Sequence, residues 1–84
     1  MPNYHSDMKY SDRHISVQAL MPHFEVFTNH PENLRVVSEA CHDFAVKMVA
    51  SLDDGPELTA GLRRLLEAKD CFVRQGVVDE SHVG

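Results

Sequence analysis

The chain has 84 residues and a mass of 9.5 kDa, with 43% hydrophobic and 25% charged residues. These values match a soluble globular chain with one small core, and they exclude a two-domain protein and wholesale disorder. Eight Lys and Arg against thirteen Asp and Glu leave a formal charge of −5 at pH 7; a protein that coats nucleic acid carries the opposite sign, so no bulk DNA or RNA binding is expected.

In chain order, residues 1 to 30 are polar, rich in histidine and weakly patterned, and read as an irregular N-terminal segment. Ile15, Val17 and Ala19 alternate as an extended stretch would, and Phe24, Val26 and Phe27 suggest another. The N-terminal run MPNYHSDMKY lacks a basic flank followed by an apolar stretch, and no apolar run approaches the roughly 20 residues that span a bilayer. An intracellular protein with no membrane partner is expected. Cys41 and Cys71 make neither a metal motif nor a disulfide framework, which fits a reducing compartment.

From residue 31 to about 76 the pattern is helical, and residues 77 to 84 read as a flexible acidic tail. Asn29-His30-Pro31-Glu32 and Asp54-Gly55-Pro56-Glu57 share one start signal: an N-cap oxygen, Pro in the first turn, and Glu three residues after the cap. The first long helix is expected to run to about Leu52 and the second from Pro56 to about Gln75, with Gly76 as a left-handed C-cap. Asp53-Asp54-Gly55 is too short a linker for anything but an antiparallel two-helix hairpin. The fold class is therefore all-α.

Leu34, Val37, Cys41, Phe44, Met48 and Leu52 step by three and four along the first helix and form a packing seam. Ala40, Ala45 and Val49 widen its apolar arc to about 180°, more than one partner helix covers. The second helix sets Leu58, Leu62, Leu65, Leu66, Phe72 and Val73 on one face and Ala60, Gly61, Ala68 and Cys71 on a strip of small residues. A lone hairpin buries too little apolar surface to offset its ordering entropy, so homo-oligomerisation is expected to complete the fold.

Arg63, Glu67, Asp70 and Arg74 lie at i,i+4 spacing as an ion-pair stripe, and Asp43 can meet Lys47 in the same way. Lys69 sits among Leu65, Leu66, Phe72 and Val73, which leaves three readings: an ion pair with Glu39, snorkelling to a helix edge, or contact with a ligand or neighbouring subunit. The histidines show no metal-ligand spacing, and adjacent Cys41 and His42 point about 100° apart on a helix, too far to share a proton. No catalytic residue, metal ligand or cofactor motif is read, and no enzyme is expected.

Three stretches carry a resemblance. Phe27-Thr28-Asn29-His30-Pro31, the turn Leu52-Asp53-Asp54-Gly55-Pro56-Glu57 and the run Gly61-Leu62-Arg63-Arg64-Leu65-Leu66-Glu67-Ala68 resemble the helical hairpin domain of small actinobacteriophage proteins. That domain has an aromatic-x-x-His-Pro entry, a short Asp- or Pro-containing turn and an Ala-Leu-x-Lys-Leu-Glu-Glu-Ala second helix. The similarity covers residues 24 to 75 and extends to phage anti-CBASS and anti-Thoeris proteins, which sequester cyclic nucleotide signals of bacterial immunity without cleaving them. It implies a homo-oligomer, often hexameric, in the host cytoplasm, with cyclic nucleotide pockets between protomers.

Sponge members of this family use an aromatic near the first helix for base stacking and a basic residue further along for phosphate. Here Asn29 stands where relatives often place Tyr, so Phe24, Phe27 and His30 compete for the stacking role, and Arg35 is the cation of the first helix. Arg64 either meets Glu67 at i,i+3 or reaches across a subunit contact. The expected ligand-binding set is Phe27, His30, Arg35 and Arg64. The rival expectation is a structural or adaptor hairpin that oligomerises and binds a protein partner without nucleotide.

Overall fold

A computed structural model of the chain describes residues 10–26 and 30–83. It is all-helical among the described residues: α1 (Ile15–Leu20), a 3-10 turn (Met21–Phe24), α2 (Glu32–Ser51) and α3 (Pro56–Val83).

The segment before residue 27 is helical rather than irregular or extended. Val17, Met21 and Phe24 are spaced by four and three, so one turn after another brings them to the same face, and all three are buried. The alternation at Ile15, Val17 and Ala19 would have buried Ile15, which is 70% exposed. His14 caps α1 by accepting the Ser16 amide at Nδ1 over 3.1 Å.

α2 opens with Pro31 in the capping position, where its lack of an N–H leaves no donor unsatisfied, and Leu34 and Arg35 donate back to its carbonyl at 3.0 Å. The expected cap Asn29 lies outside the described residues. At the far end Leu52 turns to extended backbone after a last bond from its amide to the Met48 carbonyl. Asp54 does not cap α3 as its sequence position suggests. Its carboxylate accepts instead from Arg13 Nε (2.8 Å) and the His14 amide (2.7 Å). The same guanidinium donates to the Val49 carbonyl (2.6 Å) and the Leu52 carbonyl (2.7 Å), groups that the end of a helix leaves open.

α3 runs past the expected boundary at residue 76, so 77 to 83 continue the helix instead of forming a tail. Gly76 is helical and buried, not a left-handed cap. Its missing side chain makes room for Leu34: a Cβ there would stand 2.5 Å from Leu34 Cδ2. Asn33 Nδ2 donates to the Gly76 carbonyl at 3.3 Å beside this contact.

The core gathers Val17, Met21 and Phe24 from the N-terminal segment, Cys41, Ala45 and Val49 from α2, and Leu58 and Leu62 from α3. The buried line of α2 is Leu34, Ser38, Cys41, Ala45 and Val49, so the expected seam is rotated toward Ala45 and Val49. Phe44 and Leu52, which the spacing placed in the seam, are half exposed. The cause is the chain's own N-terminal segment, which packs on the Ala45 and Val49 side and supplies part of the second partner that the wide apolar arc requires.

Candidate functional site

The two faces of the α2 and α3 pair differ. On one, the loop before α2 and the N-terminal segment border a recess of about 230 Å³. His30, held at the bend before Pro31, lines it together with Lys69 and Arg74 from α3, and Glu25, Ser38, Asp70 and Val73 complete its wall. Two fixed cations and an imidazole thus meet two carboxylates, a mixed field in which position matters more than net charge.

Lys69 reaches the edge of the apolar face and does not pair with Glu39. Its Nζ donates to the His23 carbonyl at 2.6 Å and stands 5.9 Å from the centre of the Phe24 ring, so the ammonium is solvated by a carbonyl and an aromatic face. Arg74 donates to Cys71 Sγ at 3.3 Å. Among the described residues, none of the i,i+4 charge pairs expected on α2 and α3 closes to 4.0 Å, as befits solvated side chains. The 3.4 Å contact within the His42 and Asp43 pair lies on the outer surface of α2.

Arg35 is half-buried in the first turns of α2, and its enclosed Nε has no hydrogen-bond partner among the described residues. Arg64 is exposed on α3. It lies twelve residues before Gly76, roughly 18 Å along the axis from the Leu34 contact at 1.5 Å per residue, so one protomer does not bring it to His30. Phe27 lies outside the described residues. Lys69 and Arg74 are not legible from the sequence as neighbours of His30, because their approach depends on how α3 packs on α2. Nor is the role of Arg13, an isolated cation four residues before the apolar face of α1 with no acid at helical spacing on its C-terminal side.

The opposite face is apolar. Phe44 and Leu65 separate two hollows of about 240 and 490 Å³. Met48, Leu52 and Gly61 line the first; Val36, Val37, Ala40 and Phe72 line the second.

Burial pushes the Cys41 thiol above its ordinary value, partly opposed by the positive charge of Lys69, so it stays a thiol at neutral pH; both cysteines are free. Asp54 is held below the ordinary aspartate range, first by its bond from Arg13 and then by the His14 amide. Among the described residues no group of His, Cys, Asp and Glu is arranged to hold a metal ion, and no helix is long and apolar enough to cross a membrane. Comparison of the chain with protein-family models, with curated proteins and with solved structures gives no match.

Proposed function

We propose that α2 and α3 form an antiparallel hairpin that self-associates in the host cytoplasm and binds a cyclic nucleotide signal without cleaving it, as the phage sponge proteins it resembles do. The observation that carries this reading is the convergence of His30, Lys69 and Arg74 at the entry to α2. A cyclic dinucleotide needs flat groups for its bases and donors for two phosphates, and Arg and Lys supply charge-assisted donors suited to phosphate oxygens. Arg35 places a further, half-buried guanidinium in the first turns of the same helix. Arg64, exposed on α3 and about 18 Å along the axis from the Leu34 contact, stands outside this recess.

The test is calorimetry of the purified protein against cyclic di- and trinucleotides and cyclic ADP-ribose isomers. One of them is expected to bind, and His30→Ala, Arg35→Ala and Arg74→Ala, each shown to keep the native oligomer, are expected to weaken it at least tenfold. Unchanged affinity in all three variants removes this site assignment.

The second reading is an adaptor hairpin that binds a protein partner. It is favoured by the apolar character of the two hollows between α2 and α3 and by the two carboxylates in the recess. A panel in which no nucleotide binds to an intact oligomer selects it.

A further inference from the structure

We infer that the bare face of α2 and α3 is a two-fold contact with a second copy of this chain, in which Phe72 of one protomer fills the hollow over Gly61 of the other. The inference rests on the self-association proposed above and adds which face makes it and through which side chains.

The face pairs projections with hollows. Phe72 and Val36 are each 56% exposed at one end of the groove, and Leu52 is 50% exposed at the other, where Gly61 opens the hollow. On α3 the midpoint between Gly61 and Phe72 falls at residues 66 to 67. On α2 the midpoint between Val36 and Leu52 is Phe44. Because Leu34 packs on Gly76, ten residues inward on each helix puts Phe44 level with residue 66. A single two-fold axis across the groove at Phe44 therefore sets Phe72 over the partner's Gly61 and Leu52 against the partner's Val36 at once, laying α2 against α2 and α3 against α3 as the two layers of a four-helix bundle. An isologous contact demands this self-complementarity, whereas a foreign partner has no reason to produce it.

The size is also adequate. From Val36 to Leu52 the groove is about 24 Å long and two helix diameters, roughly 20 Å, wide. Its projected footprint of about 480 Å² per protomer is close to half of the roughly 1,000 Å² in total that a specific interface clears. The face is uncharged along its middle, with Glu57 and Asp79 only at its ends, which suits an apolar interface centre with a polar rim.

Gly61 supplies the test. A Cβ built there meets nothing within 4 Å, so a side chain can start at this position without a clash, and a leucine extends into the hollow that Phe72 is to enter. Sedimentation at micromolar concentration is compared for the wild type, Gly61→Leu and Phe72→Ser. The wild type is expected as a dimer or a higher even oligomer, and both variants at half its mass or less with unchanged helical circular dichroism. A wild-type oligomer whose mass neither variant alters overturns this inference and leaves self-association standing. A monomeric wild type overturns both.

Discussion

The covered and bare faces of α2 and α3 come from the same apolar helices, yet they meet different surroundings. On the covered side, three side chains of a ten-residue stretch, Val17, Met21 and Phe24, are buried, with Val17 and Phe24 completely so. Polar anchors at both ends hold that stretch: Arg13 on Asp54 and the end of α2, and Lys69 on the His23 carbonyl. On the bare side, Phe44 and Phe72 expose more than half their surface and no segment among the described residues lies over them. The contrast teaches that a wide apolar arc asks for partners one face at a time, and that an intramolecular segment can meet half of the demand without removing the rest.

Truncation separates the two faces most sharply. Phe24→Ala is expected to cost about 3–5 kcal/mol, the range for a large core aromatic, and to do so at every protein concentration. Phe44→Ser is expected to change stability in dilute solution by less than about 1 kcal/mol and to abolish the rise of melting temperature with concentration that an associating chain shows. Denaturant titrations at two concentrations check both, and equal losses would erase the distinction.

The anchor at Arg13 ranks next. Arg13→Met removes bonds to Asp54, Val49 and Leu52, and a loss of about 1–2 kcal/mol is expected once solvent screening of this part-exposed group is allowed for. Smaller again is Gly76→Ala. The added methyl overlaps Leu34, while alanine favours the helix by about 1 kcal/mol over glycine, so a net loss of about 1 kcal/mol is expected in thermal melts.

The smallest effect is that of pH. Because Asp54 ionises more readily folded than unfolded, its contribution is present above the ordinary aspartate pKa of about 4 and is lost as pH falls through the lower folded value. Asp54→Asn is expected to flatten the acid limb of melting temperature between pH 5 and 2.5, and an unaltered limb would show that the bond from Arg13 does not matter to folding.

The positions of the two long helices were legible because Pro31-Glu32 and Pro56-Glu57 are strong start signals and the linker is short. The helical phase was less so. Heptad counting selects Phe44 and Leu52 because they are large, yet the small residues Ser38 and Ala45 face the core, since two neighbours crowd that side and leave little volume. Val17, Met21 and Phe24 already carried a helical period, masked by the stronger β-branched alternation at Ile15 and Val17. Gly76 was misplaced for a related reason: a glycine near the end of an apolar pattern suits a cap and a close contact equally, and only Leu34, 42 positions earlier, decides between them. Of the expected site, the entry at His30 and Pro31 followed from local sequence, whereas the company of Lys69 and Arg74 is set by a contact between distant segments.

The grip of Arg13 on residues 49, 52 and 54 makes the short connection between α2 and α3 an unusual surface loop. Exposed loop tips are the customary places to insert a tag, nick a chain or open new termini. Here the tip is stitched to the other end of the polypeptide, so inserted sequence would also unfasten the N-terminal helix. A label meant to leave the protein undisturbed belongs elsewhere, and a reporter dye at Asp53 would serve as a gauge of whether the first helix is in place.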